Sequence, residues 1–333
     1  MTDLGTAPAV TVVLPPLDPD ARVRADKLVR QGAPAEPDGA IIKAPCLVKA
    51  GDETVAVVLR LPPGQLAYAR RSLLAWPFDT SAMRASGIRS NSRSFGYLAR
   101  RTVLQRDGCR ACQGSHKSPD AHDGIVAQAA VLSAMFAAAA PDLAARDEEA
   151  AQIVRPEWRL GGSQWTSGIA NSTSVLPYHY DRNNLKPIWS AMIVVRRGVR
   201  GGYLHVPELG ASFQCRDGDV VYFPGWRFVH GVTPVKVIEP DGYRISAVFY
   251  AVALMRECLA PEEEMARAQR GRTIREADTR GAMDRPNLGH YIEAYDKRKS
   301  GWLLCACGHR AELHQTPDQR CATPHCECDG WTE

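Results

Sequence analysis

Between Trp189 and Leu254 the chain carries six short apolar runs, WSAMIVVRR, GGYLHVPE, ASFQCR, DVVYFP, HGVTPVKVI and YRISAVFYAVAL. Gly, Asp and Pro punctuate them, in GVRGG, RDGD, PGW and EPDGY. Runs this short, rich in Val, Ile, Tyr and Phe, read as strands. With only turn chemistry between them, they predict an antiparallel sandwich or barrel.

The rest of the chain supports that block. At 333 residues, one main domain plus an appendage is expected. Residues 1–40 are rich in Ala, Pro and Asp and predict a loosely ordered extension with a short helix near Ala21 to Arg30. IIKAPCLVKA and TVAVVLRLP predict two strands, and QLAYARRSLLAW a helix that stops at Pro77. Asp123 is a candidate N-cap for an Ala-rich helix ending at Pro141, and a second helix is expected over Leu143 to Ile153. PEEEMARAQRGRTIREA predicts another, with Pro261 in its first turn and three glutamates at its positive end. The expected class is therefore α+β. The organisation is an extension (1–40), a main domain (41–258), a helix and linker (259–300) and a Cys/His-rich module (301–333).

Two histidines and a carboxylate within this block point to a metal. His179 and Asp181, in PYHYDRNN, lie two apart, so on an extended segment both side chains face the same way. His230, in FPGWRFVHGV, follows after several strands. Such a triad binds one face of Fe(II) and leaves the other open, whereas a structural zinc site closes with a fourth ligand. Arg244 and Ser246, in GYRISAVFY, share one face of a strand whose neighbours are apolar. An arginine buried there needs an anion, and its fork fits the distal carboxylate of a keto acid. Together these residues read as an Fe(II)/2-oxoglutarate oxygenase, with dioxygen as co-substrate.

Ten cysteines are many for a reducing cytoplasm, the compartment expected of a chain that begins without a secretion signal. Their clustering near the end suggests metal. The tail offers Cys305, Cys307, His309, His314, Cys321, His325, Cys326 and Cys328, from which four would bind Zn(II) and supply the module's stability. Which four is open. Cys109 and Cys112, followed by His116 and His122, could hold a second zinc, act as a redox pair, or be simple loop residues. The apolar run Val126 to Ala140 is too short for a membrane span and predicts a buried helix.

Several segments resemble the TET/JBP family of Fe(II)/2-oxoglutarate dioxygenases, which oxidise the methyl group of 5-methylpyrimidines in nucleic acid. RISAVFY at 244–250 and LHVPE at 204–208 are similar to barrel segments of the animal enzymes. RSFGYLARR at 93–101 and TSGIANSTSVLPYHYDRNN at 166–184 resemble a microbial branch, phage or actinobacterial. The resemblance implies a double-stranded β-helix barrel, of jelly-roll or cupin-like form. It implies iron at His179, Asp181 and His230, and 2-oxoglutarate at Arg244 and Ser246 with His205 as a further candidate. It also implies a base met by Asn184 and Tyr250. Where the animal enzymes carry a base-contacting His, this chain has Val252, which neither donates nor accepts a hydrogen bond. Thus 5-methylcytosine, thymine and a hydroxymethylated base all stay open.

A base methyl inside a duplex cannot reach a recessed iron, so the base must leave the stack at a cost of a few kcal/mol, which phosphate contacts must offset. Two arginine clusters are candidates for contacting DNA: Arg89, Arg93, Arg100 and Arg101, and Arg196, Arg197 and Arg200. The competing readings are a hydroxylase of an amino acid or peptide side chain, and a non-enzymatic DNA-binding protein with a zinc tail.

Overall fold

The computed structural model describes residues 8, 10–29, 31–79, 91–101, 107–173 and 175–283. The first part forms β1 (Thr11–Leu14), α1 (Pro19–Leu28), β2 (Ala40–Ile42), β3 (Cys46–Ala50), β4 (Glu53–Arg60) and α2 (Pro63–Leu74). Then come β5 (Ser92–Leu98), β6 (Arg110–Ala111), α3 (Gln113–Lys117), α4 (Pro119–Ala139) and α5 (Pro141–Ala151). The strand-rich block follows with β7 (Ser167–Ser172), β8 (Leu176–His179), β9 (Ser190–Arg197), β10 (Val199–Gly201) and β11 (Leu204–Val206). It continues with β12 (Ala211–Phe213), β13 (Asp219–Phe223), β14 (His230–Val232), β15 (Val235–Val237) and β16 (Tyr243–Tyr250), before α6 (Pro261–Met283). The chain divides into two units, Met1–Ala268 and Gln269–Glu333. The tail module expected at 301–333, with all its cysteines and histidines, lies outside the described residues.

The major sheet has nine strands in the order β1-β3-β4-β13-β9-β16-β7-β5-β6, and the minor sheet five in the order β2-β12-β11-β14-β8. The period-2 alternation of strand side chains sorts two apolar layers. Met192 and Val194 of β9, with Val221 and Phe223 of β13, join Leu204, Phe213 and Val232 of the minor sheet in one cluster. Their alternates Ile193, Val195, Val220 and Tyr222 pack instead with Leu73, Leu132 and Phe136 of α2 and α4. Burial on both faces explains why β9 and β13 read as unbroken apolar runs. Each such side chain contributes roughly 1.5–3 kcal/mol.

Some expectations need correction. The segment before residue 40 is woven into the fold: β1 pairs in parallel with β3, and β2 at its end pairs in parallel with β12. The Ala-rich helix starts at Pro119, so Asp123 lies inside it and not at its cap. Proline suits a first helical turn because its missing N–H would have no partner there. At 21 residues α4 is long and apolar enough to cross a membrane, which the shorter run was not, yet Ile125, Leu132, Met135 and Phe136 are core residues of this fold. The polar segment around residue 93 holds β5, which pairs with β7.

Asp147 ties α5 to the barrel. Its fully buried carboxylate accepts the Trp189 N–H at 2.7 Å and a fork from Arg146. Burial, working against those contacts, pushes its pKa up to about 6. A carboxyl raised in the folded state contributes stability that is present below the unfolded value and lost as pH climbs through the folded one. From pH 4 to pH 7 this group should cost the native state on the order of 2–3 kcal/mol. Asp147→Asn keeps an acceptor for Trp189 and removes the titration. Urea unfolding should show the variant gaining on wild type across that window; parallel stability curves would contradict this account.

Candidate active site

His179 ends β8 and His230 begins β14, and the two strands pair so that these residues stand directly opposite each other. Their rings lie 4.3 Å apart, centre to centre. Asp181 sits just past β8, where its N–H donates to the Gly225 carbonyl at 3.0 Å. Its carboxylate oxygens lie 3.7 Å from His179 Nε2 and 3.9 Å from His230 Nε2. One ligand atom from each of the three residues falls within 4.8 Å of the others.

The outer nitrogens set the chemistry of the inner ones. His179 Nδ1 is 2.8 Å from the Pro177 carbonyl and His230 Nδ1 is 3.0 Å from that of Phe228. A carbonyl only accepts, so each Nδ1 carries the proton and each Nε2 presents a lone pair to the centre. Burial, reinforced by the neighbouring His179, pulls the His230 pKa down to about 4, so the imidazole is neutral. Two imidazole nitrogens and one carboxylate, aimed at one point, fit Fe(II) with open positions.

Register also explains the second part of the site. On β16, Ser246 opposes Val194 of β9 and Arg244 opposes Arg196. Ser246 lines a cavity of about 530 Å³ together with the triad, Asn184, Tyr250 and Val252. Arg244, only 1% exposed, lies two residues further along the same face. Its Nε and Nη2 have no hydrogen-bond partner, although unpaired buried donors are rare. These two orphaned N–H groups fit the carboxylate of 2-oxoglutarate. Gly202 leaves the room they occupy, since a Cβ there would stand 2.6 Å from Arg244 Nε.

Of the site residues expected from sequence, His179, Asp181, Asn184, His230, Ser246, Tyr250 and Val252 line this cavity, Arg244 is buried behind Ser246 without lining it, and others diverge. His205 lies on the opposite face of β11 from the cavity-lining Leu204, and its Nδ1 is held by the Tyr178 hydroxyl at 2.6 Å. It is not among the residues that line the cavity. Asn184 is buried, and its amide nitrogen donates to Ser190 Oγ at 3.1 Å and, more weakly, to Asp181 Oδ2 at 3.4 Å. Only its carbonyl oxygen stays available to a base. Cys109 is joined to Cys258 in a disulfide, so it cannot pair with Cys112 on a second zinc. Cys112 is a buried thiol, His116 is exposed, and His122 Nε2 accepts the Gly96 N–H. The CRAC set thus diverges. Glu264, beside the disulfide, has its carboxylate committed to Arg100 and to the N–H groups of Cys109 and Leu259.

The arginine clusters also divide. Arg196 donates to the carbonyls of Gly201, Cys215 and Val199, and Arg197 stacks on Tyr243. Arg93 pairs with Asp79, and Arg100 with Glu264. Arg89 lies outside the described residues. By contrast, exposed Arg101 lines the cavity, and so does exposed Arg182, which lies within PYHYDRNN but had no role assigned to it. Tyr97, also in the lining, belongs to the RSFGYLARR motif but had no role assigned to it.

Residues 105–253 match the family model Tet_JBP, described as the oxygenase domain of the 2OGFeDO superfamily. No curated protein sequence matches the chain. Among solved structures, NgTET1 in complex with 5mC DNA is similar at 14% identity, covering 71% of this chain and 89% of that one, with a TM-score of 0.48. A 2OG-Fe(II) oxygenase family oxidoreductase from Burkholderia pseudomallei is similar at 14% identity over 73% of this chain and 94% of that one, with a TM-score of 0.39. OsALKBH1 is similar at 16% identity over 60% of this chain and 98% of that one, with a TM-score of 0.36. Residues 105–253 of this chain are a TET/JBP oxygenase domain of the 2OGFeDO superfamily, an oxidoreductase that uses Fe(II) and 2-oxoglutarate.

Proposed function

We propose that the domain hydroxylates the methyl group of a 5-methylpyrimidine, 5-methylcytosine or thymine, in DNA. The observation that carries this reading is one cavity that joins the triad to Tyr250, Asn184 and two exposed arginines, Arg101 and Arg182. An aromatic beside a metal site suits a flipped base, which stacks on a side-chain ring, and the arginines suit the phosphates on either side of it. Bound iron and 2-oxoglutarate supply the oxidising chemistry.

The chain's own residues do the rest. Nδ1–H contacts to Pro177 and Phe228 hold both imidazoles in the tautomer that ligates. Arg244 and Ser246 orient the keto acid by its distal carboxylate. Tyr250 offers a face to the base, and the Asn184 carbonyl offers an acceptor to its Watson–Crick edge. Val252 lines the cavity without a polar atom, so it shapes the pocket and contributes no hydrogen bond. The N-terminal half of the domain excludes water from behind the site through the packing of β9 and β13 on α4. We also infer a cytoplasmic location, where bacterial or phage DNA lies, and read the tail's Cys/His set as a zinc module on composition alone.

Nucleoside mass spectrometry tests the substrate. Duplexes containing thymine alone or added 5-methylcytosine are incubated with iron, ascorbate and 2-oxoglutarate. Wild type should yield hydroxymethyluracil or hydroxymethylcytosine, and His179→Ala neither. Succinate release stimulated by proline or a peptide, with no modified nucleoside from any DNA, would move the substrate to an amino acid side chain.

A further inference from the structure

The two segments that carry the metal ligands converge on a helix far away in sequence. α1 lies outside residues 105–253, the part matched by the oxygenase family model. Its buried Ala25 packs in one small cluster with Tyr178 and Val229, the neighbours of His179 and His230. Its polar face reaches both ligand segments as well. Asp26 accepts the hydroxyl of Tyr180, the residue between His179 and Asp181, at 2.5 Å. Arg22 stacks 4.7 Å from the centre of the same ring. The Arg22 guanidinium also donates to the Arg227 carbonyl at 2.8 Å, on the loop that leads to His230.

A buried carboxylate completes the link. Glu208 accepts the Val229 N–H at 2.8 Å through Oε2. Its other oxygen has no hydrogen-bond partner and faces Arg22 Nε at 3.9 Å. Just past α1, the Gly32 carbonyl accepts the Tyr178 N–H at 2.9 Å. One helix and the turn that follows it thus grip β8 on one side and the β14 approach on the other. Partners that hydrogen-bond metal ligands directly typically contribute about 10–100-fold in metal affinity; Arg22, Asp26 and Glu208 act one step further out, on the residues that flank the ligands.

We propose that α1, through Arg22 and Asp26 together with Glu208, is a brace that sets the spacing of the metal ligands. Arg22, Asp26 and Glu208 are positioning residues: none belongs to the triad, and each acts on the peptide or side chain next to a ligand. The inference rests on His179, Asp181 and His230 being the metal ligands. It extends the active site to a segment that an isolated oxygenase core would lack.

Cobalt(II), titrated anaerobically into the full chain after its Cys/His tail has been saturated with zinc, and followed by the visible absorption that His179→Ala should lack, reads the brace directly. Arg22 and Asp26 are both exposed, so Arg22→Ala/Asp26→Ala should fold, and its melting temperature without metal is measured alongside. The double variant should bind cobalt about 10-fold more weakly than wild type. Asp26→Asn, which keeps an acceptor for Tyr180, should bind within about twofold of wild type. A purely structural helix would lower the melting temperature and leave cobalt affinity unchanged, and that result overturns the brace. Where the double variant is too unstable to titrate, Asp26→Ala alone decides by the same criterion. His179→Ala separates the two ideas. If wild type and His179→Ala bind cobalt alike, the metal site itself is misassigned and the brace falls with it. If only His179→Ala loses cobalt while the double variant binds normally, the brace alone fails.

Discussion

Replacing Arg244 by methionine should abolish binding of 2-oxoglutarate and, in the absence of ligand, raise the melting temperature of the protein. Both effects come from the same two atoms. Nε and Nη2 are buried without a partner, so the ligand-free fold carries a cation whose desolvation is offset only in part, by Cys215. Burial accordingly pulls the Arg244 pKa down. Apolar side chains of similar volume often match or exceed the stability of buried charges. For the ligand the balance reverses. Two charge-assisted hydrogen bonds at about 1.5–3 kcal/mol each correspond to roughly 10²–10⁴ in affinity. Thermal shift measures both at once. Added 2-oxoglutarate should raise the wild-type melting temperature by mass action and leave that of Arg244→Met where it is. A variant that still responds to the keto acid would move the anion site elsewhere.

Gly225→Ala should be nearly as damaging, although glycine 225 contributes no side chain to the site. A Cβ added there would stand 2.3 Å from Asp181 Oδ2 and 3.2 Å from His230 Cε1. The Gly225 carbonyl meanwhile holds the Asp181 N–H, so the backbone cannot simply withdraw. Relief has to come from the carboxylate, moved by about 1 Å out of the ligand cluster. Displacements of that size cost on the order of 10²-fold in rate. The expected result is loss of cobalt binding and of succinate formation, with circular dichroism and melting temperature close to wild type. Wild-type metal affinity in the variant would show that the Pro224–Trp226 turn yields more readily than this contact allows.

Much of the site was legible because its chemistry uses residue types that are rare in a strand block. His179 and Asp181 in PYHYD, and Arg244 with Ser246 in YRIS, stand out against apolar neighbours and obey the period of a strand. The apolar runs of β9, β13 and β16 were legible for a related reason: strands buried on both faces show almost no polar residue. β5 was not, because SRSFGYL is polar and basic and becomes a strand only by pairing with β7. His205 misled because alternation alone does not say which face of a three-residue strand meets the cavity. Cys109 misled because a nearby cysteine in sequence, Cys112, is a weaker partner than a distant one brought close by folding, Cys258. The arginine clusters were legible only in part: Arg101 lines the cavity, but charge in sequence is silent on whether backbone carbonyls have already taken it, as they have for Arg196.

By itself, then, the sequence determined the candidates: the proposed ligands His179, Asp181 and His230, the proposed anion-binding Arg244, and the antiparallel character of the strands around them. These follow from residue type and short-range period, which the chain carries before it folds. Tertiary structure alone decided which atoms meet. It directs the lone pairs of His179 and His230 to one point, sets glycine 225 against Asp181, leaves two N–H groups of Arg244 unpaired, and lays α1 across both ligand segments. The physical reason is that, apart from the Nδ1 contacts of His179 and His230 to carbonyls two residues away, these arrangements join segments tens to hundreds of residues apart. Their geometry depends on strand register and helix packing, and neither is written in any local pattern.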